Sequence, residues 1–320
     1  MNLTEYQVAM DAELREGFGA IAARFRDVPQ DPIARRSRTL AVPAPEAPRD
    51  DRVLIDDRTI PGPPGSPALP VRLYAPKARD AAVPGVLWVH GGGFTAGTHT
   101  QNDALCQRCV AEAGCLVVSV GYRLAPEHPF PAPPEDCYAA LHWLAASAGE
   151  LGVDRGRIAI GGASAGGGLA AGVALMARDR GEVPLVFELL IYPCLDDRHT
   201  TPSSHEIAAE GMVWHRAQSL RGWRAYLGSD QPADVSPYAA PARVEDVSGL
   251  PPTFIMVGTL DLMRDENIAY ATRLMQAGIA TELHVYPGAF HGFYTFVPKA
   301  EISRRATDEM VAALGRALNR

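Results

Sequence analysis

Three side chains far apart in the chain have the types and settings that nucleophilic acyl transfer needs: Ser164, Asp261 and His291. Ser164 lies in Gly162-Ala163-Ser164-Ala165-Gly166, between a short β-branched run ending at Gly161 and a proline-free Ala/Leu/Met run beginning at Ala165. A strand that turns at once into a helix, with serine at the corner, is a nucleophile elbow. The glycines are there for steric reasons. The serine must take a strained backbone conformation, and a side chain two residues to either side would collide with the strand or the helix. The helix that follows aims free N–H groups and its positive dipole end at the place where an oxyanion forms. Chance alone supplies the five-letter pattern about 0.1 times in a chain of this composition, so the strand-turn-helix context has to confirm it.

A serine hydroxyl is almost un-ionised at neutral pH and needs a base within hydrogen-bond reach, for which imidazole, with a reference pKa of about 6.5, is suited. In a parallel sheet the site forms at the C-terminal ends of strands, so a useful histidine follows a strand. Among nine histidines, His284 falls inside a predicted strand, and His199, His205 and His215 fall in a long insertion. His291, in Pro287-Gly288-Ala289-Phe290-His291-Gly292-Phe293, directly follows the last predicted strand and is the expected base. The imidazole must be held in one tautomer by a carboxylate. Asp261 follows the run Thr253 to Val257; its rivals are Asp196 and Asp197, after the strand ending at Tyr192, and Asp265, which caps or faces the next helix. Asp261 is preferred because it gives the chain order Ser, Asp, His and lies one strand from the His291 loop. For the oxyanion, the expected N–H donors are Ala165, beside the nucleophile, and Gly92 and Gly93 of His90-Gly91-Gly92-Gly93, a loop leaving a strand at the same edge.

The elements that must position these residues are legible as apolar runs. Gly85 to His90, Cys115 to Val120, Arg157 to Gly161, Leu185 to Tyr192, Thr253 to Val257 and Thr281 to Tyr286 are short, and helix-like segments at 101–113, 134–147, 165–180 and 264–277 separate most of them. A last helix spans 300–318. Strands buried on both faces and joined by helical crossovers predict an α/β fold with a mainly parallel sheet covered by helices on both sides. Val53 to Ile60 and Leu69 to Tyr74 alternate apolar and polar residues around Pro61-Gly62-Pro63-Pro64-Gly65, which predicts an antiparallel pair at one sheet edge.

Residues 1–26 predict one helix with an apolar stripe of Leu14, Phe18, Ile21 and Phe25. Its polar face mixes Glu5, Asp11, Glu13 and Glu16 with Arg15, Arg24 and Arg26, so it docks on the protein rather than on a membrane. Asp27 to Asp50 reads as a connecting loop. Between Tyr192 and Thr253 the chain carries Met212, Trp214, Leu220, Trp223, Tyr226 and Leu227, too apolar for disorder and too long for a connection; an inserted helical piece is expected.

Composition narrows the function classes. With 320 residues, 47 % of them hydrophobic and 21 % charged, the chain can bury a large core. A net charge of -7 without a Lys/Arg cluster argues against nucleic acid or an anionic membrane as partner. Five cysteines, Cys106, Cys109, Cys115, Cys137 and Cys194, suit a reducing compartment. Cys106 and Cys109 form C-x-x-C, but inside a predicted helix and with no second Cys/His pair at zinc spacing, so packing is expected rather than redox or metal chemistry. The N-terminus lacks the basic and apolar regions of a signal peptide, and no run of apolar residues is long enough to span a membrane; a soluble cytoplasmic protein is expected. Gly91-Gly92-Gly93-Phe94-Thr95-Ala96 fits a nucleotide-binding pattern, but the acidic residue that should follow is only Glu112, within a helix. No cofactor is expected.

Together the motifs resemble the bacterial hormone-sensitive-lipase family (family IV) of α/β-hydrolases. The resemblance rests on His90-Gly91-Gly92-Gly93-Phe94, on Tyr122-Arg123-Leu124-Ala125-Pro126-Glu127-His128-Pro129-Phe130-Pro131-Ala132 and on Gly162-Ala163-Ser164-Ala165-Gly166-Gly167. It rests also on Asp261-Leu262-Met263-Arg264-Asp265-Glu266 and His291-Gly292-Phe293. It implies an eight-stranded α/β-hydrolase sheet with a helical cap: residues 1–50 and 199–232 as cap, 51–198 and 233–320 as core. It also implies a carboxylesterase with Ser164, Asp261 and His291 as triad and Gly92, Gly93 and Ala165 around the oxyanion hole. Two positions depart from the family pattern: Ala163 stands where Asp or Thr is usual, and Leu262 where Pro is usual. The expected partner is a small-molecule ester with a short to medium acyl chain, hydrolysed through an acyl-enzyme under a roof of Trp214, Trp223 and the stripe around Phe18. The alternative is a non-catalytic small-ligand receptor, as in the plant gibberellin receptors of the same fold; the presence of His291 argues against it. Homodimers are common in the family, which allows one here.

Overall fold

The computed structural model describes residues 1–25, 29–40, 48–229 and 234–319. Its strands are β1 (Val53–Ile60), β2 (Leu69–Pro76), β3 (Val83–Val89), β4 (Leu116–Val120), β5 (Val153–Ala163), β6 (Phe187–Ile191), β7 (Thr253–Leu260) and β8 (Thr281–Phe290). Around them lie α1 (Leu3–Ala9), α2 (Ala12–Phe25), α3 (Pro32–Leu40), α4 (Asp103–Ala113), α5 (Ala132–Ala146) and α6 (Ala148–Leu151). The remaining helices are α7 (Ala165–Arg180), α8 (Pro202–Glu206), α9 (Arg216–Leu227), α10 (Arg264–Gln276), α11 (Phe293–Phe296) and α12 (Glu301–Leu318).

The strands form one eight-stranded sheet in the order β1-β2-β4-β3-β5-β6-β7-β8. Only β2 runs against its neighbours, antiparallel to both β1 and β4, so the expected antiparallel pair does form one edge. The other pairings are parallel. The physical reason for this order lies in the side chains. Leu116-Val117-Val118-Ser119-Val120 and Phe187-Glu188-Leu189-Leu190-Ile191 are buried at every position, as only strands covered on both faces can be. By contrast β1 exposes most of its middle, as an edge strand does.

Three expectations change. The predicted single N-terminal helix is two, because Asp11 breaks it: its N–H donates to Gly288 O at 3.1 Å, and its Oδ1 accepts from Glu13 N at 3.0 Å to start α2. A helix interior cannot spare that N–H, so the chain turns and both helices lie on the end of the sheet. The stripe of Leu14, Phe18 and Ile21 is buried as expected, with Phe18 edge-on to Tyr6 at 5.9 Å and to Phe290 at 5.6 Å; the Phe25 side chain falls outside the description. The second change is α3, inside the stretch expected to be a loop. Asp31 accepts from Ala34 N at 2.7 Å ahead of Pro32, a capping signal, and the polar sequence that follows hid the helix because its partner is a guanidinium clasp rather than an apolar face. Residues 27–28 and 41–47 of that expected loop lie outside the described residues. Third, β5 and β8 run longer than their apolar cores suggested, to Ala163 and Phe290. The insertion between Tyr192 and Thr253 holds α8 and α9, as expected, with a 3-10 turn at Pro241–Arg243.

One group in the core is costly. Glu188, at the centre of the sheet, is wholly buried and accepts one hydrogen bond, from Thr253 Oγ1 at 2.9 Å, while its Oε1 has no partner among the described residues. Burial pushes its carboxyl up to about 8. The folded state therefore holds a proton that the unfolded chain, with a carboxyl near about 4.3, has already released. The associated stability is complete at low pH and is lost as pH rises towards and through about 8. Glu188→Gln is expected to melt above the wild type at about pH 9 and to lose that advantage near about pH 5, measured by thermal unfolding at both pH values. Separately, Phe18→Ala should lower stability by about 3–5 kcal/mol, read as a fall of several degrees in the melting temperature, because it empties the space between Tyr6 and Phe290.

Candidate active site

The register of the sheet explains why distant residues meet. The final rung between β7 and β8 pairs Leu260 with Phe290, so the next residues on the two strands are Asp261 and His291. The final rung between β5 and β6 pairs Ala163 with Ile191, so Ser164 and Tyr192 leave side by side. On the other side of β5, Val89 pairs with Gly162, which brings His90-Gly91-Gly92-Gly93 out at the same edge.

Ser164 has φ 58° and ψ -123°, a conformation an L-residue adopts only under constraint. Such strain costs about 1–3 kcal/mol. Ser164 N–H donates to Ile191 O at 2.9 Å, and its carbonyl accepts from Cys194 N and Gly168 N, each at 3.0 Å. At about 1 kcal/mol each these bonds are enough to hold the turn. A Cβ on Gly162 would collide with the Gly166 carbonyl, and one on Gly166 with the carbonyls of Val89 and His90, so no larger residue fits at either place.

His291 Nε2 lies 2.9 Å from Ser164 Oγ, and His291 Nδ1 lies 2.8 Å from Asp261 Oδ2. Asp261 is completely buried, His291 is 7 % exposed and Ser164 9 %. Asp261 Oδ1 accepts from Met263 N at 3.0 Å, which fixes the carboxylate plane. A carboxylate can only accept, so Nδ1 carries the proton and Nε2 is left to accept the serine O–H. The rivals of Asp261 are engaged elsewhere: Asp196 with Arg198, Asp197 with Arg243, and Asp265 with Arg264 and Ser203 N. His284 lies between Glu309 and Glu282, and His199 Nε2 pairs with Ser219 Oγ at 2.8 Å. Cys106 and Cys109 sit buried and unbridged on α4, and Glu112 pairs with Arg108 on the same helix.

The glycine loop packs directly on the elbow, since a Cβ on Gly91 would stand 2.7 Å from Ala163 O and 3.3 Å from Ser164 Cβ. Gly92 and Gly93 have φ of 130° and 60°, backbone conformations that L side chains rarely adopt. Ala165, directly after Ser164, is the first residue of α7 and is buried. Burial pushes the neighbouring His90 down to about 4, so this ring stays neutral and adds no charge beside the loop. The loop is braced from above. Phe94 stacks on Tyr226 of α9 with centroids 4.2 Å apart, and Arg36 of α3 donates to Thr95 O at 2.7 Å and Ala125 O at 2.8 Å while pairing with Glu127.

Sequence reasoning missed several neighbours. Tyr192, with φ 35°, sets its ring 4.5 Å from that of His291. The Cys194 thiol lies 3.8 Å from Ser164 Oγ, and burial pushes it well above the usual thiol range, so it stays protonated. Glu266 accepts from the N–H groups of Leu195 at 2.8 Å and Asp196 at 3.3 Å, and Asn267 Nδ2 donates to Pro193 O at 2.8 Å, so α10 holds the segment 193–196 next to Ser164. For Tyr192 and Cys194 the only sequence signal was position next to a strand end, whereas Glu266 stood in the motif that begins at Asp261. At the two positions that depart from the family pattern, Ala163 and Leu262 are both buried, and Leu262 O accepts from Ser203 Oγ at 2.9 Å. Trp214 lies against Gly93 and beside His291; Trp223 packs one layer out, 5.0 Å from Phe94, and Phe18 is part of the core below.

Comparison with known proteins bears on the fold and the family. Residues 86–295 match the sequence model of a family described as alpha/beta hydrolase fold. Esterase LipI of Mycobacterium tuberculosis is 36% identical over 301 residues, covering 93% of this chain and 88% of its own length. Carboxylesterase NlhH of the same species is 39% identical over 272 residues, 83% of each chain. Among solved structures, a bacterial heroin esterase superposes with a TM-score of 0.90 at 42% identity, covering 97% of this chain and 98% of its own. Esterase LipW from Mycobacterium marinum gives 0.80 at 36% identity and 98% of both chains. Motifs, sheet and relatives agree: the chain belongs to the α/β-hydrolase fold family, in its hormone-sensitive-lipase-like branch of carboxylesterases.

Proposed function

We propose that this carboxylesterase hydrolyses short to medium acyl esters through an acyl-enzyme on Ser164. The observation that carries the reading is the unbroken hydrogen-bond chain from Asp261 through His291 to Ser164, at 2.8 and 2.9 Å. His291 Nε2 takes the serine proton as Oγ attacks the ester carbonyl, and Asp261 stabilises the imidazolium that results. The backbone N–H groups of Gly92, Gly93 and Ala165 bind the carbonyl oxygen as it becomes negative. His291 then gives its proton to the leaving alcohol, and a water activated by the same imidazole clears the acyl group. Residues 1–50 and 199–232 serve as the cap in this reading, with the boundary near 232 outside the described residues. The aromatic layer of Trp214, Trp223 and Phe94 supports a compact, apolar pocket and hence short substrates. Five free, buried cysteines support a reducing compartment.

Ser164→Ala should lose both turnover of p-nitrophenyl butyrate and covalent labelling by an organophosphate, read by intact-protein mass; undiminished turnover would exclude the mechanism. Asp261→Asn should keep its fold, checked by circular dichroism, yet lower kcat by roughly 10³–10⁴, because the imidazole settles in the wrong tautomer. Across p-nitrophenyl esters from acetate to palmitate, kcat/KM is expected to peak among the short chains and to drop about tenfold or more for the longest. A peak at palmitate, or rapid hydrolysis of a long-chain triglyceride emulsion, would overturn the pocket size.

A further inference from the structure

The glycine loop is bent in a way that local preference does not favour. Gly92, Gly93 and Phe94 have successive φ values of 130°, 60° and 62°, and phenylalanine takes such a conformation only where its neighbours impose it. Something outside the loop has to hold the bend. Arg36 of α3, 59 residues before Thr95, does so: its Nε–H donates to Thr95 O at 2.7 Å and its Nη2–H to Ala125 O at 2.8 Å. Nη1 and Nη2 also reach the two oxygens of Glu127, at 2.9 and 2.7 Å. Ala125 N–H in turn donates to Phe94 O at 3.0 Å, so the guanidinium closes a ring of hydrogen bonds around the end of the loop.

A trans peptide is planar with its C=O and N–H on opposite sides, so a carbonyl held on one side aims the amide on the other. Among the described residues the cis bonds are Ala125–Pro126 and Phe130–Pro131, so the 92–93 and 95–96 peptides are trans. Arg36 holds Thr95 O, and the amide of that same peptide, Ala96 N–H, donates to Gly92 O at 3.1 Å. Gly92 O is thereby fixed, with Thr95 N–H as a second donor at 3.3 Å, and the amide across that peptide, Gly93 N–H, is turned away from it. Among the described residues no backbone carbonyl takes the Gly93 N–H. We infer that Arg36 is a positioning residue for the reaction, one that sets the direction of Gly93 N–H through two peptide planes and with it the strength of the oxyanion hole. The inference rests on the reading above in which Gly93 N–H binds the oxyanion. An N-terminal helix then acts on the chemical step and not only on substrate binding. A misdirected amide weakens the transition state more than the ground state, because the negative charge is present only in the former.

The test compares Arg36→Gln with Arg36→Met in the full chain. Both remove the charge and the pairing with Glu127; glutamine places an amide nitrogen where arginine has Nε, and methionine places a methyl there. Each enzyme is assayed on p-nitrophenyl butyrate and inhibited by butyl trifluoromethyl ketone. Ser164 Oγ adds to that carbonyl: the C–O bond forms, the π pair goes to the oxygen as an oxyanion, and the serine proton goes to His291. Butyl methyl ketone, which binds without addition, is the ground-state reference. Arg36→Met is expected to lower kcat about ten- to a hundredfold with KM within about twofold, and to raise the inhibition constant of the trifluoromethyl ketone by a similar factor. The constant for the methyl ketone should stay where it is, and Arg36→Gln should recover most of the loss. An inhibition constant does not depend on how much of the enzyme is active, so partial misfolding cannot imitate this split. Should the uncharged variants fail to fold, Arg36→Lys keeps the cation beside Glu127 but has a methylene in place of Nε–H, and it is expected to lose what Arg36→Met loses. An unchanged preference for the trifluoromethyl ketone, or equal losses in the glutamine and methionine variants, would overturn the inference. If the wild type itself binds the two ketones equally, the oxyanion reading fails and this inference falls with it; a preference kept by the wild type and by every variant sinks the inference alone.

Discussion

Parallel pairing carried to the last rung on both sides of the sheet centre is the constraint from which the rest of the site follows. A parallel ladder keeps neighbouring strands in step, so strands that stop at Ala163 and Ile191, and at Leu260 and Phe290, release their next residues at one level. Ser164, Asp261 and His291 are therefore brought together by backbone hydrogen bonds made well below them. A one-residue slip of β8 against β7 would turn His291 to the opposite face of the sheet, and the 2.8 Å contact with Asp261 could not form. The bulge between Gly258 and Leu260 belongs to this logic: it takes up the mismatch between the strands just before the two residues leave.

Backbone strain gathers around Ser164 and is held by the surroundings. Ser164, Phe94 and Tyr192 are non-glycine residues with positive φ, and all three sit within the loops that leave this edge. Each is over-determined by its neighbours. The elbow is tied to β6 and to the Cys194 segment, Phe94 is stacked on Tyr226, and the stretch after Tyr192 is held by Glu266 and Asn267. The N-terminal helices reach the same edge from outside, with Tyr6 Oη donating to Leu260 O at 3.1 Å, one residue before Asp261, and Arg36 donating to Thr95 O after the glycine loop. Insertion and N-terminal helices thus act on the site through the loops that carry it.

Much of this was legible from residue patterns. Apolar runs such as Leu116 to Val120 can only be strands buried on both faces, and G-x-S-x-G between a strand and a helix admits few conformations. The site residues were legible for the same reason, because each directly follows such a run. What could not be read was held by contacts with no local period. The break at Asp11 depends on the Gly288 carbonyl, nearly the full chain away, and α3 is fastened by Arg36 to Thr95, Ala125 and Glu127. The apolar stripe of α2 predicted its burial but not its partners, Tyr6 and Phe290, since a stripe records hydrophobicity and carries no address.

The sequence by itself determined the strand-helix alternation, the identity of nucleophile, base and acid candidates and the glycines that let backbone approach backbone, because these depend on local sterics and on side-chain chemistry. Tertiary structure alone decided what engages the three rival carboxylates, that Phe18 packs between Tyr6 and Phe290, and that Cys194 and Trp214 lie against Ser164 and Gly93. Those relations arise where loops from separate strands converge, and distance in space there bears no relation to distance along the chain.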